Sequence, residues 1–248
     1  MKIILAACLL LSGNTFAAES EITGCVYSRS GLVEMAEGND WRPLTGPEEI
    51  KRGTILRTGP DGSAELLLSD GSFISVGKNA EITAEELLLE AGSRKFSFSL
   101  LRGKVLWLAA RAKKAAEAKF EVRTPSLVCA VRGTDFAVEV SSSGEAVAGL
   151  FEGEVEVSAD GQTGILTPGS EASLNHGLLS IADGLSPAMA AQLRQRDRLS
   201  ARVSRLREKL ERNRNFLYDY LGRREKALQG LRSRQKESLN KRFSEKRK

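Results

Sequence analysis

The stretch TPSLVCAVRGTDFAVEV, Thr124 to Val140, sets a polar tetrad, Arg132, Gly133, Thr134 and Asp135, between two apolar runs. A carboxylate beside a guanidinium and a hydroxyl could do acid–base work if a cleft gathered them. The pattern around them argues for architecture instead. Gly133 interrupts the alternation that runs up to Val131 and resumes at Thr134, which is how a sheet marks a bulge, a bend or a close backbone approach. Beyond it Phe136, Val138 and Val140 share one strand face, with Asp135 and Glu139 on the opposite, solvent side. Arg132, Gly133, Thr134 and Phe136 are therefore expected to form a structural corner.

Other reactive types are sparse. His176 is the sole histidine and sits in the turn sequence Leu174-Asn175-His176-Gly177, so a histidine-based triad or a multi-histidine zinc site lacks its parts. Glu152, Glu154 and Glu156 alternate with apolar residues, which reads as the wet side of a sheet. The chain shows no phosphate loop, no Cys-x-x-Cys and no dinucleotide fingerprint, and no cofactor or metal is implied. Cys25 and Cys129 fit either a disulfide of an oxidising compartment or two buried thiols on strands.

Positioning such residues falls to two unlike regions. From Ile22 to Ile181 short strands are punctuated by Asp61-Gly62, Asp70-Gly71, Asp160-Gly161, Pro168-Gly169 and Asp183-Gly184, the signature of stacked antiparallel strands. Ala109 to Ala118, rich in Ala, Lys and Arg, predicts a short exposed helix inserted between strands. From Pro187 onward helix formers dominate. Leu206, Leu217, Leu228 and Leu239 recur every eleven residues, with Leu210 and Leu221 at i+4 of the first two, which predicts one long helix with a narrow apolar stripe. Such a stripe must find cover, on a partner helix, by folding back at a hinge near Gly222 to Gly230, or on a surface.

Charge divides the same way. Residues 187–248 carry 20 Lys+Arg and 7 Asp+Glu, net +13; with 37 and 32 in the whole chain, residues 1–186 hold 17 and 25, net −8. Arg202, Arg205, Arg212, Arg223 and Arg224 are the candidate contacts for a polyanion: anionic lipid, an envelope polymer or an acidic protein surface. Contact with the chain's own acidic half is another way to use them.

Met1 to Ala17 has a basic start, nine apolar residues from Ile3 to Leu11 and small residues at Thr15 and Ala17, a signal peptide with cleavage after Ala17. Leu5-Ala6-Ala7-Cys8 leaves almost no apolar region before its cysteine. Glu19 and Glu21 separate Cys25 from the apolar run, so lipid anchoring there is not expected. The mature protein is expected in a periplasm or outside the cell, where nucleic acid is not an expected partner.

Several blocks, taken in order, resemble the extracytoplasmic domain of the ferric-citrate regulator family, FecR: Trp41-Arg42-Pro43-Leu44, Leu56 to Leu66 (LRTGPDGSAEL), Asp70-Gly71-Ser72, Leu101-Arg102-Gly103-Lys104-Val105, Phe120 to Pro125 (FEVRTP), Val131 to Phe136 (VRGTDF) and Glu152 to Val157 (EGEVEV). The resemblance covers roughly Ile22 to Ile181. It implies a mainly β domain, solenoid-like or sandwich-like, with Gly133-Thr134 as a family bend, and a habit of binding a partner. Regulators of that family relay a signal to a cytoplasmic sigma factor; no sigma-binding region or membrane helix precedes the domain here, so a direct anti-sigma role is not expected.

The expected organisation is thus a signal peptide (1–17), a FecR-like β domain (18–184) and a basic helical, coiled-coil-like tail (185–248). The leading functional expectation is an exported, non-enzymatic module that binds an envelope protein or polyanionic component and is tethered or assembled through the tail. A homo-oligomer joined by the leucine stripe is the structural alternative, and an envelope hydrolase built on Asp/Glu pairs a third.

Overall fold

The computed structural model describes residues 22–90, 93–111, 117–223, 226–227, 229–230 and 233. The segment expected to be a signal peptide (1–17) therefore lies outside the described residues, as do Arg224, Leu228 and Leu239.

Among the described residues seventeen strands form two sheets. The first half runs β1 (Gly24–Ser30), β2 (Val33–Glu37), β3 (Asp40–Pro43), β4 (Glu48–Glu49), β5 (Thr54–Thr58), β6 (Ser63–Leu68), β7 (Phe73–Val76) and β8 (Glu81–Glu90). The long β9 (Ser93–Leu108) follows. The second half runs β10 (Glu117–Arg123), β11 (Val128–Val131), β12 (Asp135–Val140), β13 (Ala146–Glu152), β14 (Val155–Ala159), β15 (Gln162–Leu166), β16 (Ser170–Asn175) and β17 (Leu178–Asp183).

The chain crosses between layers every one or two strands. One sheet has the order β4-β1-β6-β7-β9-β12-β13-β16-β17 and the other β3-β2-β5-β8-β9-β10-β11-β14-β15. Strand β9 belongs to both. Its residues up to Arg102 pair in the second sheet and those from Gly103 in the first, so Gly103 is the corner. Its φ is +92°, and a Cβ there would stand 2.4 Å from the Ala80 Cα, a position only glycine fills. Pairing is antiparallel throughout except β9 with β10: after its last residues join the first sheet, the chain must return to the second and re-enters beside β9 in the same direction.

The inner faces enclose the main core. Phe96 and Phe98 from one arm of β9 and Trp107 from the other meet Phe120 and Phe136, with Trp107 stacked on Phe136 at 5.8 Å. The alternation of β12 delivers Phe136, Val138 and Val140 into this core, as the sequence predicts.

The helix expected over Ala109 to Ala118 does not form at its described ends. Ala109 and Ala110 are buried and extended past β9, their N–H groups donating to the Thr134 carbonyl (3.0 Å) and Ser72 Oγ (2.9 Å), while Glu117 already begins β10. These tertiary hydrogen bonds outweigh an alanine preference of a few tenths of a kcal/mol per residue.

The described C-terminal residues do not form one uninterrupted helix. Helix α1 (Pro187–Arg212) ends at Asn213, which adopts extended backbone. Its side chain accepts from the Asn215 N–H (2.9 Å) and its carbonyl from Phe216 N–H (3.1 Å), starting a second helical stretch, α2, over residues 216–223; the described residues 226–227, 229–230 and 233 are helical as well. The hinge thus falls on Asn213-Arg214-Asn215, ahead of the glycines, because asparagine offers a side-chain acceptor that competes with the helical ladder. No described helix is long and apolar enough to cross a membrane.

Candidate functional site

The feature that organises the charged residues is the seam between α1 and the outer face of the β1/β6/β7/β9/β12/β13 sheet. The helix is capped by Ser186, whose Oγ accepts from Met189 N–H and whose own N–H donates to Glu171 Oε2 at 2.8 Å. Met189, Val203, Leu206 and Leu210 then bury against Cys25, Leu67, Phe73, Leu106, Leu108 and Ala137, a second core on the far side of the sheet from the first. Gly149 makes room for it: a Cβ there would lie 2.9 Å from Met189 Cγ. Leu217 of α2 completes this core, and Tyr220 stacks on Tyr27 at 4.6 Å while its hydroxyl donates to the Tyr27 carbonyl.

Arginines flank the apolar stripe. Arg196 Nε donates to Asp135 Oδ2 at 2.7 Å and its Nη2 contacts Glu152. Arg202 grips Glu65 with both Nη atoms, at 2.7 and 2.5 Å, and lies over the Tyr27 and Phe73 rings. Arg207 donates to the carbonyls of Gly71 (3.0 Å) and Leu108 (2.9 Å). Four buried apolar side chains at about 2 kcal/mol each outweigh partly exposed ion pairs at about 1 kcal/mol or less. Apolar burial therefore holds α1 down, and the arginines set its register.

A cavity of about 740 Å³ opens between α1 and the corner at Gly133. Its floor is the Asp70–Arg94 pair, Arg94 Nε lying 3.0 Å from Asp70 Oδ2 with both side chains almost fully buried. Asp70 also accepts from Ser72 N–H and Oγ, and Arg94 Nη1 donates to the Ala110 carbonyl. Burial pushes the Asp70 carboxyl above its ordinary range while Arg94 and Ser72 pull it back. Asp135 at the rim is likewise pushed up by burial against the pull of Arg196. Asp135 and Glu152 do converge, as a carboxylate pair for hydrolysis would, but Arg196 occupies the space between them.

The tetrad behaves as a corner. Gly133 has φ +59° where the chain passes from β11 in one sheet to β12 in the other, and a Cβ would meet Arg111 Cγ at 2.7 Å. Thr134 is buried and its methyl packs against Gly153, Phe136 enters the main core, and Arg132 is exposed. Asp135 departs from expectation: it points outward from the sheet, yet α1 covers that face, so the carboxylate meets Arg196 instead of water. Glu152, Glu154 and Glu156 are exposed, and His176 sits in the β16–β17 turn.

Cys25 and Cys129 are free thiols. They cannot meet, since Cys25 faces the core under α1 and Cys129 the core between the sheets, and burial pushes each up to about 12. Of the stripe, Leu206, Leu210 and Leu217 are buried in this chain's own second core and Leu221 packs against it, so these leucines are not available to join two copies.

The polyanion candidates separate. Arg202 is spent on Glu65, whereas Arg205, Arg212 and Arg223 are exposed. Exposure adds Arg194, Arg198 and Lys209. At 3.6 residues per turn Arg194, Arg198, Arg205, Lys209 and Arg212 fall within roughly 60° of one another, a basic ridge opposite the buried face. Arg212 also contacts Glu208 at 3.6 Å, both side chains well exposed. Sequence reasoning missed Arg196, Arg207 and their acceptors; the opposed charges of the two halves were the available signal.

Residues 54–156, from β5 into β14, match the family model described as FecR protein. The matched residues include both corner glycines, Gly103 and Gly133. Two crystal structures of a candidate anti-sigma factor from Parabacteroides distasonis, at 2.50 and 1.65 Å, match at 17% identity with TM-scores of 0.48 and 0.47. Each match covers 56% of this chain and 63% or 64% of the solved chain, less than two thirds of its length. No curated protein matches.

Proposed function

We propose that this protein is an exported, non-enzymatic binding module in which the FecR-type β domain, with α1 fastened across its outer sheet, presents a basic ridge to a polyanionic component of the cell envelope. The observation that carries this is the division of labour on one helix. Its stripe and Arg196, Arg202 and Arg207 are engaged with the sheet, while Arg194, Arg198, Arg205, Lys209 and Arg212 face outward together. Aligned exposed cations create a field that attracts polyanions and weakens with salt. The helix is a part of the domain that displays charge, and the tether role expected for a free tail passes to this ridge.

The test compares the full chain with an Arg194→Glu, Arg198→Glu, Arg205→Glu variant on isolated envelope fractions. Retention of the parent should fall as salt rises and the variant should elute at low salt. Equal retention of the two would refute the reading.

A further inference from the structure

The two ends of the β sandwich are protected very differently. At one end the edge strands are β3 and β4. The first ends in Pro43, the second is two glutamates long, and Arg42 of β3 ion-pairs with Glu48 of β4 across the gap. Proline, charge and shortness are the usual defences of an exposed edge. At the other end the edges are β15 (QTGIL) and β17 (LLSIAD). Each pairs on one side only among the described residues, and Asp183 is their single charged residue. Three of the six large apolar side chains exposed among the described residues are here: Ile165 at 56%, Leu178 at 67% and Ile181 at 41%.

Backbone groups point outward from both edges. His176 and Gly177 both have positive φ, as do Asp160 and Gly161, so each hairpin closes on a two-residue turn whose flanking residues form a hydrogen-bonded pair. Alternation then turns the N–H and C=O of Leu179 and Ile181 on β17, and of Thr163 and Ile165 on β15, away from their partner strands. The Leu179 N–H confirms the direction, since it donates outward to Gln162 Oε1 at 3.1 Å. Gln162 Nε2 also donates to the Gly177 carbonyl, so one side chain bridges the two edges at the mouth. Side-chain packing holds them in stacked layers, with Ile181 against Gly164.

We propose that this end is a self-association surface on which a second copy of the chain docks end to end, β17 against β17 and β15 against β15. A single extended segment from another protein could extend only one of the two sheets. A second copy presents two edges at the same layer spacing, and one two-fold axis normal to the sheets makes both new pairs antiparallel at once, as an isologous contact requires. Centring on Ile181 sets Leu179 opposite Asp183 of the other copy, and no like charges face each other across either pair. The helix stripe plays no part in this contact.

The test is sedimentation velocity of the full chain over a concentration series, with Thr163→Pro and Ile181→Pro. Both prolines remove an outward N–H, a position edge strands tolerate. The expected result is a dimer boundary that moves to the monomer value in each variant, with circular dichroism unchanged. If a proline variant loses its fold, Ile181→Lys, which puts like charges opposite each other, and Ile165→Lys, which puts a charge into the β15 contact, make the same measurement and should also give monomer. A parent that is monomeric at every concentration, or a dimer that survives in the folded proline or lysine variants, overturns the proposal.

Discussion

Arg202 of α1 holds Glu65 of β6 in a two-pronged ion pair, Nη1 to Oε1 at 2.7 Å and Nη2 to Oε2 at 2.5 Å, across 137 residues of sequence. The pair sits at the margin of the second core, where the guanidinium also lies over Tyr27 and Phe73. It fastens the basic half of the chain to the acidic half, and the rest of the seam repeats its logic.

A double-mutant cycle of Arg202→Ala and Glu65→Ala should return a coupling of about 1 kcal/mol by chemical denaturation, because the pair is bidentate but partly exposed. Arg202→Lys should recover only part, since an ammonium cannot span both oxygens. Additive single losses would show that the geometry contributes nothing to stability.

Leu206→Asp buries a charge under α1 and should cost about 3 kcal/mol or more. The cost should be local. Cys25 lies beneath the helix and Cys129 between the sheets, so residue-resolved alkylation should find Cys25 labelled in the variant while Cys129 stays protected. In the parent both thiols, raised to about 12 by burial, should resist labelling at neutral pH. Equal labelling of the two in the variant would mean that α1 and the sandwich unfold together.

The two corner glycines should not tolerate alanine equally. At Gly133 the incoming Cβ meets Arg111 Cγ at 2.7 Å and its Cα at 3.0 Å, a milder clash, so Gly133→Ala should cost about 2 kcal/mol, for left-handed backbone and a shift of Arg111. At Gly103 the obstacle is the Ala80 backbone at 2.4 Å, and Gly103→Ala should cost more. Thermal melts of the two variants decide the order.

Glu34 should titrate below the ordinary carboxylate range, because Arg57 Nε donates to its Oε2 at 2.7 Å. A carboxylate lowered on folding supports the fold above its unfolded pKa, about 4.3, and that support disappears as pH falls through the lowered folded value. Carboxyl NMR of Arg57→Ala should show Glu34 moving back up. No movement would assign the low value to another cause.

Much of the β domain was legible. Alternation about Phe136, Val138 and Val140 and the Asp-Gly turns report one residue's environment through its neighbours two positions away, and burial between two sheets preserves that period. The same logic failed at Ala109 and Ala110, where propensity spoke for helix and hydrogen bonds to Thr134 and Ser72 decided for extended chain. It failed again at Asp135, whose outward position was right but whose exposure was not.

Taken alone, the amino-acid order determined the strands, the corner at Gly133 and the opposition of an acidic half to a basic one, because each is a local pattern of side-chain types. Which arginines are consumed and which remain on display was decided only by folding. Arg202 and Arg205 are indistinguishable as letters and stand only about 60° apart around α1, yet Arg202 falls at the margin of the buried face, where it meets Glu65, and Arg205 on the exposed ridge. The choice of that sheet as cover, in place of another helix, depends on contacts between residues more than a hundred positions apart.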